Sequence, residues 1–197
     1  MASNWREPWR AAAKTAAERL GLQTTNHGDV TGSVEGLPVA VFVQESGTGV
    51  STPIGTVFQV GLPGWPTTAG LDFWPGRTRF RHWPMFRSRY IRFNDPNWDK
   101  AFTVRARDPA TVRLHLDQEC RDLIAAHTEK VRGIGPIATG ENYWLTSGEV
   151  ITVRGTQSLY QIRQGLLQSS INAVVTSPDV ITKVMQRMID LAKAITR

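Results

Sequence analysis

Apolar residues recur at spacings of three and four through Trp5, Trp9, Ala12, Ala13, Ala16 and Leu20. That is the period of one helix face. Pro8 suits a first helical turn and Gly21 supplies a stop, so the pattern predicts a helix over 5–20 with its Trp residues as core plugs. From 28 to 73 the period drops to two. Val30 and Val34, then Val39, Val41 and Val43, predict two strands joined by a tight turn at Glu35-Gly36. Ser46-Gly47-Thr48-Gly49 marks a looser turn, and 56–62 and 71–74 read as further strands. Short turns between consecutive strands imply antiparallel pairing, because parallel pairing needs a longer crossover.

Residues 75–89 hold no clean period and read as a long surface excursion. Strands resume over 90–93 and 102–107. Between them, Asn94-Asp95-Pro96-Asn97-Trp98-Asp99 is turn chemistry, with Asp and Asn side chains bonding the local backbone. Asp108-Pro109 opens a helix as N-cap and first residue, and Asp117 caps its continuation. Leu116, Cys120, Leu123, Ile124 and His127 form its stripe. Short strands follow near 134–139, 143–146 and 150–154. In the last 40 residues Leu159, Ile162, Leu166, Leu167, Ile171, Val174 and Val175 suggest one helical stripe. After a break at Ser177-Pro178-Asp179, Val180, Ile181, Val184, Met188, Leu191 and Ile195 form a second. The expected fold is therefore α+β: an antiparallel β-meander covered by helices, ending in a C-terminal helical hairpin. Residues 1–155 form the α+β part, and 156–197 form a helical segment packed on it.

Two blocks carry a resemblance. One is Gly32-Ser33-Val34-Glu35-Gly36-Leu37-Pro38-Val39. The other is Asp95-Pro96-Asn97-Trp98-Asp99-Lys100-Ala101-Phe102-Thr103-Val104, followed by Leu114, Leu116, Arg121 and Leu123 at matching spacing. Over about 17–155 the chain resembles a loose set of uncharacterised bacterial proteins with a domain of unknown function, several of them membrane-tethered. The resemblance implies structural roles: Asp95 and Asp99 cap turns, and Trp98 and Phe102 pack. It brings no catalytic residues. The chain departs from that set in having no membrane segment, an added Arg-aromatic stretch and a longer C-terminal part.

Charge sharpens the picture at one place. The chain has 23 basic and 17 acidic residues. Arg77, Arg79, Arg81, Arg87, Arg89 and Arg92 follow one another with no acidic residue between Asp72 and Asp95, and without them the balance is neutral. Trp-Pro occurs there at nine-residue spacing, at Trp65-Pro66, Trp74-Pro75 and Trp83-Pro84. Proline after Trp suits a strand end with the ring at its rim, and nine residues fits few repeat units. Arginine outnumbers lysine 18 to 5 across the chain, so abundance says little, whereas clustering does. Arg77, Arg79, Arg81, Trp83, Phe86, Arg87, Arg89 and Arg92 are the candidate partner-binding residues, because Arg and Trp are enriched at interface hot spots.

Candidate chemistry adds little. Cys120 sits inside an apolar stripe, which reads as an inert buried thiol. His115 and His127 are twelve residues apart, about 120° around a helix. There is no Cys-x-x-Cys or His-x-x-x-His pair, so neither metal nor cofactor is expected. Gly133-Ile134-Gly135-Pro136 lacks phosphate-loop spacing. Asp95 and Asp99 suit turn capping better than acid–base work. The reading is a non-enzymatic binding or assembly module, contacting an acidic protein partner or its own copy as a homo-oligomer. The alternative is nucleic-acid binding through 77–92, whose aromatics would stack on bases. Peripheral membrane contact also fits Trp with Arg. With no transmembrane run and no secretory leader, and a single cysteine, the expected location is cytoplasmic.

Overall fold

A computed structural model describes residues 5–46, 53–75, 90–132, 141–146, 149–154, 160–171 and 173–197. Helix α1 (Arg6–Leu20) opens the chain and ends at Gly21, whose left-handed backbone lets its N–H reach the carbonyls of Ala17 and Glu18. Then come β1 (Gln23–Thr24), β2 (Val30–Val34), β3 (Leu37–Glu45), β4 (Pro53–Gly61), β5 (Leu71–Pro75) and β6 (Tyr90–Ile91). Helix α2 (Pro96–Ala101), β7 (Phe102–Ala106), α3 (Pro109–His115) and α4 (Gln118–Arg132) follow. The chain closes with β8 (Glu141–Thr146), β9 (Glu149–Arg154), β10 (Tyr160–Arg163), β11 (Leu166–Ile171) and α5 (Pro178–Thr196).

Nine strands form one sheet in the order β1-β2-β3-β4-β11-β10-β5-β7-β6, every pair antiparallel, and β8-β9 form a separate hairpin. The class is α+β. Two expectations change. Residues 160–171 are not the first arm of a helical hairpin but a β-hairpin, so α5 is the single C-terminal helix. That hairpin also interrupts the meander, because it lies between β4 and β5. The physical reason is the turn: Arg163 and Leu166 pair across Gln164-Gly165, both with positive φ (51° and 76°). Successive residues in the left-handed region match strand twist and end a right-handed helix.

Strand alternation splits the sheet into two faces. Val39, Val60, Leu167, Ile162, Leu71 and Ala106 form one continuous row across six strands, all buried. Against such rows lie the apolar residues of the helices: Trp98 of α2, Val112 of α3, Cys120 and Ile124 of α4, and most of α5. Helix α5 buries a wide apolar face because α1 and α4 flank it. Helix α1 meets it through Ala12, Ala13, Ala16 and Ala17, small residues that permit close approach. Ser177 caps α5 and Pro178 takes its first position. Thr56 Oγ1 ties the segment entering α5 to β4, donating to the Ala173 carbonyl at 2.8 Å and accepting from the Val175 N–H at 2.9 Å. The opposite face of the sheet carries no member of this cluster, although Val57 and Thr103 on it are buried.

Candidate functional site

That face is polar, apart from Ala40, along one row that crosses all nine strands: Gln23, Thr31, Ala40, Gln59, Gln168, Gln161, Asp72, Arg105 and Tyr90. Gln59 Nε2 donates to Gln168 Oε1 at 3.3 Å. At the basic end of this row lies Asp72, whose side chain is only 6% exposed. Alternation puts it on this face because its neighbours Leu71 and Phe73 belong to the core. Arg105 lies directly across on β7 and donates to Oδ2 through Nε at 3.3 Å and Nη2 at 2.9 Å. Arg163 of β10, set diagonally, donates through Nη2 to Oδ1. One nearly buried carboxylate thus holds two half-exposed guanidinium groups, an arrangement in which charge-assisted bonds offset desolvation.

Beside this cluster is Gly70, at the adjoining position of the same face. The Arg107 N–H donates to the Gly70 carbonyl at 3.0 Å. Continuing the β10–β5 register by one step places Arg163 opposite Gly70 on the other side. A methyl group at Gly70 would stand 3.1 Å from Arg163 Nη1 and 3.6 Å from Arg107 Cδ. Three arginines and one aspartate therefore share a small patch with an excess of positive charge.

Of the residues chosen from sequence, Arg77, Arg79, Arg81, Trp83, Phe86, Arg87 and Arg89 lie outside the described residues. Arg92 is exposed just after β6, and its carbonyl accepts from Arg113 Nη2 at 3.4 Å. The ends of the basic segment are fixed: it leaves from β5 and returns at β6, the two neighbours of β7 at the edge of the sheet. Trp65 is no rim residue but a buried plug in the loop after β4, its Nε1 donating to the Ala69 carbonyl at 2.6 Å.

The candidate chemistry resolves into structural roles. Asn94 to Asp99 do not form an open turn. Asp95 caps α2, accepting from the N–H groups of Asn97 and Trp98, while Asp99 accepts from the Phe93 N–H at 3.0 Å. Helix wins over turn here because Asp95 and Pro96 make a strong N-terminus. Trp98 and Phe102 stack at 4.2 Å and both pack on Phe73. Cys120 is buried, its Sγ–H donates to the His115 carbonyl at 3.3 Å, and burial pushes its thiol up to about 12. His115 stacks on Trp65 and its Nδ1 lies 3.0 Å from the Ile195 carbonyl oxygen. Burial likewise raises the Tyr160 hydroxyl, with the Arg187 charge opposing. Trp98 Nε1, Arg121 Nε and Arg187 Nη1 are buried donors without a hydrogen-bond acceptor. Among the described residues no group of three or more His, Cys, Asp or Glu is placed to hold a metal ion, and no helix is long and apolar enough to cross a membrane.

Sequence reasoning missed Asp72, Arg105, Arg107 and Arg163. The available signal was a charged residue between two apolar neighbours in a strand, as in Leu71-Asp72-Phe73 and Val104-Arg105-Ala106.

No family model matches the chain, and no curated protein matches it. Among solved structures the chain is similar to the crystal structure of the mycobacterial trehalose monomycolate transport factor A, TtfA. The TM-score is 0.55 at 9% sequence identity, over 96% of this chain and 95% of that chain. At that identity the likeness is one of fold, and it extends over nearly the whole of both chains.

Proposed function

We propose that this chain is a non-enzymatic binding or assembly module that contacts an acidic protein partner, or a second copy of itself, through its basic edge. One observation carries the reading. Five of the six arginines that account for the net charge fall between β5 and β6, and the sixth, Arg92, just after β6, while one face of the sheet to which these strands belong presents Arg105, Arg107 and Arg163 against one carboxylate. Guanidinium groups gathered on one side favour an acidic surface and raise its rate of encounter. The likeness in fold to a protein named as a transport factor supports an accessory role. The raised Cys120 thiol supports the same reading, since a protonated, buried sulfur is a poor nucleophile.

The test replaces Arg79, Arg81, Arg87 and Arg89 by Ser and compares partner capture from the native host, with and without nuclease. Loss of capture at unchanged thermal midpoint supports the module. Persistence of capture removes the basic segment as the interface. Capture abolished by nuclease replaces the acidic protein with nucleic acid.

A further inference from the structure

We propose that Arg163 and Arg107, whose side chains meet over the buried Gly70, together receive a carboxylate side chain of an acidic protein partner on their exposed side. The proposal rests on the acidic-partner reading and names the contact point.

The register makes the case. On this face Gly70, just before β5, and Asp72 within it occupy successive positions, each flanked by β10 on one side and by β7 or its extension on the other. At 72 the flanking residues are Gln161 and Arg105, and β5 supplies a carboxylate. At 70 the flanking residues are Arg163 and Arg107, and the chain supplies only hydrogen. The carboxylate rung is complete within the chain. At the glycine rung the two arginine side chains close over the buried Gly70; Arg163 reaches back to Asp72, and Arg107 has no acid of its own among the described residues.

Two strand spacings separate the flanking residues, about 10 Å between their Cα atoms. Arginine side chains from both sides span that distance onto a shared carboxylate. The approach of both is visible: Arg163 Nη1 and Arg107 Cγ and Cδ are the atoms that a Cβ at 70 would meet. Asp72 acts as the positioning residue. It fixes Arg163 by one guanidinium nitrogen and Arg105 by two. A guanidinium held in place loses less entropy on binding a further oxygen. Arg107 is exposed and has no ion pair with any described residue. Three arginines against one aspartate leave the patch attractive to a second carboxylate despite Asp72.

Protein is favoured over nucleic acid by what continues from the patch. Along the row lie the amides of Gln161, Gln168 and Gln59, which both donate and accept as a peptide requires.

Hexaglutamate peptide, inorganic phosphate and a six-nucleotide single strand are titrated against the full chain and three variants. Arg107→Ser removes one flanking cation, and Gly70→Ala pushes on Arg163 Nη1 at constant charge. Lys14→Ser removes an exposed cation from α1 as the control for net charge. Circular dichroism confirms folding of each. The expected result is hexaglutamate binding weakened about three- to tenfold by Arg107→Ser and about threefold by Gly70→Ala, with Lys14→Ser within twofold of the parent. Equal weakening by Lys14→Ser overturns the site in favour of diffuse charge. Binding unaffected by Arg107→Ser and Gly70→Ala overturns the site and leaves the module intact. Absence of hexaglutamate binding overturns the acidic-partner reading itself. Tighter binding of the oligonucleotide or phosphate, lost on the same substitutions, overturns the carboxylate as ligand.

Discussion

Asp72 and Arg105 stand directly opposite each other on β5 and β7, and Arg105 Nη2 donates to Asp72 Oδ2 at 2.9 Å. Because Arg163 takes the other oxygen from β10, a single carboxylate cross-links three adjacent strands. Replacing Asp72 by Asn keeps the shape and removes the charge that both guanidinium groups face. The guanidinium groups are half-exposed, so water recovers part of the loss. The expected cost is about 2 kcal/mol, below the range for fully buried pairs. Arg163→Met should cost less, since Arg105 still neutralises Asp72. Urea unfolding should show a lower midpoint with unchanged slope. Equal stability of Asp72→Asn and the parent would show that the cluster is energetically idle.

Two hairpins turn by the same device. Glu35-Gly36 joins β2 to β3 and Gln164-Gly165 joins β10 to β11, with φ of 51° and 83° in the first and 51° and 76° in the second. Nothing lies within 4 Å of a Cβ built on Gly36, and only the Leu62 carbonyl oxygen, at 3.7 Å, near one on Gly165. The penalty for Ala at either glycine is therefore backbone strain, about 1 kcal/mol. Gln164→Asn should stabilise by about 0.5 kcal/mol, because Asn tolerates the left-handed region better. Denaturant midpoints of the three variants check the sign of each effect.

These twin turns explain what was legible in the sequence. Around Glu35-Gly36 the flanking valines alternate and admit one interpretation. Around Gln164-Gly165 the apolar set at 159, 162, 166, 167 and 171 fits helical spacing better than alternation, and Gly165 reads as a tolerated helix interior. Only the neighbours β4 and β5 decide the matter, and they lie far away in sequence. The same distance hid the site. Asp72 and Arg163 are 91 residues apart, and they meet only if β10 is a strand. Local signals fared well: Asp108-Pro109, Gly21 and the amphipathic first helix all fold as their residue types dictate.

Helix caps make the fold sensitive to acid. Asp108 accepts from Thr111 Oγ1 at 2.6 Å and from the N–H groups of Thr111 and Ala110, and the Thr111 bonds lead in holding its carboxyl below the ordinary 3.8. Asp117 accepts from the Cys120 N–H at 2.9 Å, which lowers its carboxyl in the same direction. A group whose folded value is depressed stabilises fully above its unfolded value, and that stability is lost as pH falls through the folded value. The caps should therefore weaken below about pH 4. An Asp108→Asn, Asp117→Asn pair still accepts from the backbone but does not titrate. Its unfolding free energy should fall less steeply than the parent's between pH 4 and pH 2, measured by urea titration at each pH.

Cys120 should behave as a core residue and not as a reagent. Burial is the largest cause of its raised thiol, followed by the charge of Asp117, and the Sγ–H is directed to the His115 carbonyl. At pH 8 the thiolate fraction is negligible, so disulfide reagents should react only through unfolding, at a rate that saturates with reagent concentration. In denaturant the same thiol should react within seconds to minutes. The sign in alkali is opposite to that of the caps. The folded value near 12 exceeds the ordinary 9.0, so this contribution is complete below pH 9 and is lost as pH rises toward 12. Cys120→Ala should cost about 1–2 kcal/mol through the lost sulfur volume. It should leave hexaglutamate binding unchanged, because Cys120 belongs to the core and the arginine patch lies on the opposite face. Fast labelling of the native protein at pH 8 would place the thiol at a reactive surface and contradict its packing against α5.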